Sequence, residues 1–478
     1  MLLATMNSAG YRFAASDQAF YVPAVVRHLE PAAFPRDAAL IDAQARLTLV
    51  DDLVAGAIRV TGLSLQRLFL VLYVTSLCLL VAAGVRIASH LYRTRLALLA
   101  LAAALTLRHA VAKTGANTLE GYFHPRMLAF ALGLSAVALL IERRERAAPI
   151  LLAVAAAVHP TTAAWFCVWT AVTLWFSRPA WRTAMAGAAV ATAAALGIAV
   201  AAGFGAARLT RMDQAWLAVI ADRDYLFPTG WPIDAWLTNL VTIPIIVFCW
   251  RARARARLTV AGETPLVAGA LALAVVFACW LPFDIARVAL AVQLQTSRVF
   301  WMLDVLATIY LVWALAEGTR DSPGTRRTAI VASILLVASL ARGLYISYVQ
   351  FPDRRLFAVD LQHDDWREAM AWARTTDPGT GWLADPGHAA QYGSSLRAAG
   401  HRDVLVERLK DRAIAMYDRE TAMRLADRER ALAVLPWDTP DGARALALRF
   451  GLDYLIIDRE LALPLAHRSG SLYIYRLR

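Results

Sequence analysis

The side chains best suited to chemistry in this 478-residue chain lie in short polar stretches between long apolar runs. Asp17, in SDQAFYVPAV, is followed by Phe20, Tyr21 and Pro23, and a poised carboxylate there can take a proton from a hydroxyl or hold a divalent cation. The same spacing also suits a plain N-cap, with Ser16 or Asp17 capping a helix that starts near Gln18. KTGANTLEGYFHPRMLAF gathers Glu120, Tyr122, His124 and Arg126 at the start of an apolar run. This places a second carboxylate beside a guanidinium whose fork of donors matches phosphate oxygens. Interfacial anchoring by Tyr122 and Arg126 would explain the pair equally well. His159 precedes Pro160 in an apolar stretch, where a lone histidine is more often a satisfied core residue than a ligand. Trp216, Tyr225, Trp231 and Trp236 share a polar segment with Asp222, Arg223 and Asp224, and their rings suit either sugar stacking or an interfacial belt. Arg287 and Arg298 flank a later polar loop and either hold an anionic headgroup or snorkel to the interface. Asp37, Asp51 and Asp52 are expected as surface or capping residues, with a second acidic site at Asp51-Asp52 left open.

The elements that must position these groups belong to a membrane protein. The chain is 59% hydrophobic and 18% charged, against roughly 45–50% apolar and 25% charged in soluble domains, which excludes a soluble enzyme. A spanning helix needs roughly 20 apolar residues because its backbone must satisfy its own hydrogen bonds in hydrocarbon. Runs at 64–85, 95–112, 183–203, 233–250, 264–282, 298–317 and 327–349 qualify, and 127–141 is short but adequate if tilted. The stretch 148–176 is interrupted by His159-Pro160 and predicts two short helices in a hairpin. The expected fold is therefore an α-helical polytopic bundle of about 8 full spans plus one broken helical hairpin, with a soluble α/β domain at its C-terminus.

Charge orients the bundle. With the segment before residue 64 outside, the inner loops hold Arg86, Arg93, Arg143, Arg144, Arg178, Arg253, Arg320 and further arginines, and the positive-inside rule fixes the two sides. The RARARAR run at 251–257 is expected as a topological anchor. Three regions follow: an outer segment over 1–62, a transmembrane domain over 63–349 and an outer α/β domain over 350–478. Exporting 11–62 calls for a preceding membrane helix, which the opening MLLATMNSAG is too short to provide. In the C-terminal region, helices are expected from Asp364-Asp365 and near 411–431 and 440–450, with strands at 382–384, 404–406, 454–457 and 472–475. Of the 49 basic residues only Lys113 and Lys410 are lysines, and the net charge of +12 is not taken as nucleic-acid binding. Cys78, Cys167, Cys249 and Cys279 lie in apolar runs without metal-ligand spacing.

In order along the chain, SDQAFYVPAV, GYFHPRMLAF, AAAVHPTTA, DYLFPTGW, LQTSRVFWM, DDWREAMAWARTTDPGTGWLADP and GLDYLIIDRE resemble a bacterial multi-span family similar to integral-membrane glycosyltransferases of the C-type fold (GT-C). The resemblance covers nearly the whole chain. It implies a sugar donor on polyprenyl phosphate, a glycan, lipid or protein acceptor, and reaction at the periplasmic face of a bacterial inner membrane. It further implies Asp17 as first-loop acid, acting directly or through a divalent metal such as Mg or Mn, Glu120 as second-loop acid, and Arg126 near the lipid phosphate. Substrate contacts would come from Tyr21, Tyr122, His124, His159, Trp231, Arg287 and Arg298. The lone Asp17 departs from the paired acids of many relatives. Rival expectations are a lipid or polysaccharide transporter, or a non-catalytic scaffold with an outer binding domain; the gathering of charge at the outer ends of spans, away from the midplane, favours transfer over carriage.

Overall fold

The computed structural model describes residues 1–203, 205–319 and 324–478; Arg320 lies outside the described residues. Among the described residues six helices are long and apolar enough to cross a membrane: Leu65–Leu91, Pro179–Ala201, Ile233–Arg255, Glu263–Ile285, Ala289–Ala316 and Thr325–Gln350. Pro125–Ile141 and Arg95–Leu105 are shorter apolar helices in the same bundle.

Ion pairs between consecutive turns show which helix ends lie together. Arg86 pairs with Glu142, Arg178 with Glu145, and Arg253 with Glu263, while Arg253 also donates to the Leu91 carbonyl and Thr94 donates to Glu317. The arginine-rich turns therefore meet at one end of the bundle. Asp17, His124, His159 and the C-terminal domain gather at the other. Arg253 does more than anchor topology: it is 1% exposed, bonds Glu263 and the Leu91 and Leu258 carbonyls, and lies 4.8 Å from the Trp313 ring centroid. A buried guanidinium must satisfy its donors in this way.

The broken stretch is a hairpin. Ala148–Val158 climbs to His159 and Pro160–Ser177 returns, with Pro160 at the first helical position, where its missing N–H costs nothing. Arg178 and Glu145 close the open end at 2.5 Å. Two glycines let the returning helix sit close to its neighbours. A Cβ on Gly133 would stand 2.2 Å from the Phe166 ring, and one on Gly269 2.4 Å from the Trp169 carbonyl. The run 95–112 is helical only over Arg95–Leu105. Beyond it Thr106 bonds Ser339 at 2.7 Å, and Ala110–Val111 pairs antiparallel with Ala116–Asn117, which keeps Arg108 and His109 out of the apolar layer.

The N-terminal segment is bound at both of its ends. Asn7 donates to Ser339 in Thr325–Tyr345, and Tyr11–Arg12 pairs in parallel with Phe357–Ala358 just past that helix. Further along, Asp37 corrects the expectation of a surface residue. It is fully buried, ion-paired to Arg397 at 2.7 Å, Arg424 at 2.9 Å and Arg428 at 3.3 Å, and docks the segment onto the C-terminal domain. Asp51 is also buried and bonds His28, which faces Asp52 as well.

The C-terminal domain holds a five-stranded mixed sheet ordered Asp403–Val404, Gly381–Leu383, Tyr454–Ile457, Leu472–Arg476, Leu465–Ser469. The first three strands run parallel and the last two antiparallel. The edge strand LAHRS was not expected, because it carries no apolar run and lies half in water. The single helix expected near 411–431 is two, Arg408–Ile414 and Arg419–Val434, with Asp418 capping the second.

Candidate active site

Asp17 occupies the N-cap position of Gln18–Leu29, yet its carboxylate makes no cap bond. Ser16, at φ +52°, swings the chain so that the carboxylate points away from the helix end. Gln18 fixes this turn against the second outer loop, accepting from the Ala14 N–H at 2.7 Å and donating to the Phe123 carbonyl at 3.0 Å. The result sets Asp17 beside 122–124. Tyr122 Oη donates to Asp17 Oδ2 at 2.9 Å, and His124 Nε2 lies 3.1 Å from the same oxygen. Oδ1 faces the Lys410 ammonium at 2.6 Å, from a helix of the C-terminal domain.

His124 Nδ1 accepts the Arg126 N–H at 3.1 Å, so the proton sits on Nε2 and is donated to Asp17. Burial and then the Arg126 charge push this imidazole down to about 3, and it is neutral at physiological pH. Burial alone would raise the Asp17 carboxyl. Lys410, followed by His124, outweighs it and holds the group well below the usual carboxylate range. Burial pushes the Tyr122 phenol well above its ordinary value, so it stays a donor.

These groups line a cavity of about 310 Å³ bounded by the N-terminal segment, three outer loops, the hairpin tip and the C-terminal domain. Asp17, Tyr21, Glu120, Tyr122, His124, Arg126, His159 and Arg298 all face it. Glu120 bonds Arg126 at 2.7 Å and is thereby committed to orienting that guanidinium. His159 caps its helix through Nδ1, leaving Nε2 without a protein partner among the described residues, and its ring lies 6.2 Å from that of His124. Arg298 is buried with its Nε unpaired among the described residues. Arg108, Arg126, Arg223, Arg298 and Lys410 set five cations against the two carboxylates Asp17 and Glu120, an excess that suits a phosphate.

Two expected contacts lie elsewhere. Trp231 is buried in an aromatic cluster with Trp236 and Phe300, its Nε1 donating to the Asp224 carbonyl. Arg287 covers the Phe227 ring, 4.3 Å from its centroid. Conversely, Lys410 and Tyr417 reach the cavity without having been singled out, and Tyr225, expected for sugar stacking or an interfacial belt, lines it as well. One signal for Lys410 was present, since it is one of two lysines in an arginine-rich chain.

No family model and no curated protein matches the chain. Among solved structures it is similar to the apo oligosaccharyltransferase of Archaeoglobus fulgidus, at 14% identity and a TM-score of 0.44, over 96% of this chain and 69% of that one. The same archaeon's oligosaccharyltransferase AglB, in complex with an inhibitory peptide and a dolichol-phosphate, aligns at 12% identity and a TM-score of 0.45, over 96% and 69%. Arabinofuranosyltransferase AftD from Mycobacteria aligns at 15% identity and a TM-score of 0.46, over 98% of this chain and 35% of that chain.

The residues around Asp17 do not fit a divalent metal. Oδ1 is neutralised by an ammonium, Oδ2 accepts from two donors, and Glu120 is held by Arg126. Asp51 and Asp52 form a group of metal-ligand spacing with His28, and none of the three lines the cavity.

Proposed function

We propose that the protein is an integral-membrane glycosyltransferase, moving a sugar from a polyprenyl-phosphate donor to an acceptor hydroxyl at the periplasmic face of a bacterial inner membrane. The observation that carries this reading is the Asp17 carboxylate, set in a polar cavity with a surplus of guanidinium and ammonium groups. The acceptor oxygen attacks the anomeric carbon, the bond from that carbon to the phosphate oxygen breaks, and the electron pair leaves with the lipid phosphate. Asp17 takes the hydroxyl proton. Arg298, Arg126 and Lys410 stabilise the charge that collects on the departing phosphate, which is the larger electrostatic contribution. Lys410 supplies the positive charge beside Asp17 that a metal would otherwise provide. Tyr21, Tyr225 and Tyr417 line the walls and offer apolar ring faces to the sugar.

The test is transfer by purified protein offered a panel of polyprenyl-phosphate sugars. Asp17→Asn is expected to lower the rate by about 10²- to 10⁴-fold, the usual worth of a general base, with expression and membrane insertion unchanged. Retained transfer in that variant removes Asp17 from the chemistry. Movement of the lipid-linked sugar across vesicles without any bond exchange would favour a carrier.

A further inference from the structure

A second cavity, of about 350 Å³, lies between the N-terminal segment and the C-terminal domain. A short backbone bridge joins its lining to that of the first. The Arg12 N–H donates to the Gly121 carbonyl at 2.8 Å, and the next residue, Tyr122, donates to Asp17. A Cβ on Gly121 would stand 2.6 Å from the Gly10 and Ser8 carbonyls, so the two layers touch with nothing between them.

Arg12 and Arg354 both line this second cavity. Among the described residues neither guanidinium has a carboxylate or hydrogen-bond partner; Arg12 Nε is buried without an acceptor, and Arg354 lies over the Phe351 ring. Burial and then the Arg12 charge lower the Arg354 guanidinium, so the two cations sit within one another's field. Half-buried cations lining one cavity without a counter-ion are costly unless an anion completes them. Of the two acids on the lining, Asp364 caps the Arg367 N–H through one oxygen, and both it and Asp360 are exposed, neither pairing with Arg12 or Arg354 among the described residues. The remaining wall is aromatic and polar. Tyr392 stacks on Trp366 at 4.3 Å, Trp366 Nε1 donates to Ser394, and Gln391 lies on the rim. An anion-binding pair beside an aromatic platform and amide groups is the chemistry of a charged sugar, and the volume falls within the roughly 300–1,000 Å³ typical of small-molecule sites.

We propose that this cavity binds an acidic saccharide, with its carboxylate or phosphate held between Arg12 and Arg354 and its ring against Tyr392. That this saccharide is the acceptor rests on the transfer reading above; the binding itself does not.

The experiment is calorimetric titration of the full-length protein in detergent micelles with digalacturonate, a disaccharide phosphate and neutral digalactose. Both acidic probes are expected to bind at least about tenfold more tightly than the neutral one. Arg12→Gln and Arg354→Gln should each weaken the acidic probes by about tenfold or more, the worth of one charge-assisted contact, and leave the neutral probe unchanged. Tyr392→Ala should weaken all three. Arg354 sits in the linker after the last span, outside any helix or strand, so its variant keeps the test open should Arg12→Gln misfold. On an Asp17→Asn background Arg12→Gln and Arg354→Gln should weaken the acidic probes by the same factor as in the unaltered protein, which separates failure of this site from failure of the transfer reading. Equal affinity for acidic and neutral probes overturns the proposal, as does unchanged binding in both arginine variants. Displacement of the acidic probes by phosphatidylglycerol but not by phosphatidylcholine overturns it too, since the cavity would then be a lipid-headgroup site.

Discussion

Asp17 carries its charge because Lys410, and then His124, overcomes the burial that would otherwise neutralise it. This balance has a definite sign. Removing the ammonium in Lys410→Gln leaves burial less opposed, so the carboxyl's pKa rises toward its ordinary value. The acid limb of the pH–rate profile should move up, with transfer at pH 5–6 falling further below the unaltered protein than transfer at pH 8. An unmoved limb would remove Lys410 from control of Asp17. His124, held near 3, should add no limb between pH 5 and 8. Because Lys410 stands where a metal would neutralise Asp17, transfer is expected to persist in excess EDTA; loss of activity restored by Mg or Mn would contradict that assignment.

Single helices and loops carry the docking of the C-terminal domain. Asp37 and Asp411 share the buried Arg397, with Asp37 also taking Arg424 and Arg428. Burial works against the Asp37 charge, but the arginines, Arg397 foremost, hold its carboxyl below the ordinary range. Its contribution to stability is thus present above about pH 4 and fades as pH falls through the depressed value. Asp37→Asn should cost about 3–5 kcal/mol, as when one partner of a buried ion pair is removed, read as a lower thermal midpoint and faster proteolysis near 350–360. Glu407 has the opposite sign. It is 1% exposed, its nearest cation Arg397 stands 4.0 Å away and neither oxygen is hydrogen-bonded among the described residues, and burial pushes it up to about 8. The protein therefore loses this group's contribution as pH rises toward 8, and Glu407→Gln should raise the thermal midpoint at pH 8 while leaving it nearly unchanged at pH 5.

At the scale of the whole molecule, both flanking polar regions meet above one end of the bundle while the arginine-rich turns close the other. In a variant lacking the four native cysteines, cysteines introduced at Asp52 and Asp441 should label from the periplasmic side with a membrane-impermeant reagent. One at Arg144 should label only after permeabilisation. All three positions are exposed. Labelling of Asp52 and Asp441 from opposite sides would dismantle the shared cavity and the proposed reaction with it.

The apolar runs and their arginine-bearing turns determined by themselves that this is a polytopic bundle with both polar regions on one side, since hydrocarbon demands self-satisfied helices and the charge bias orients them. Proline at 160 likewise announced the hairpin, because a missing N–H is a local property. Asp17 and 120–126 were legible as chemistry-bearing types at the mouths of spans. Whether the Asp17 carboxylate capped a helix or faced a cavity was not, because both arrangements share the same local spacing; the Ser16 backbone, the Gln18 bridge and Lys410, almost 400 residues away along the chain, decided it. Tertiary structure alone also moved Asp37 from surface to core, turned Arg253 from anchor to hub and drew Trp231 and Arg287 out of the cavity. Each of these depends on which distant partner satisfies a buried charge or ring, and that information lies in the packing of separate segments.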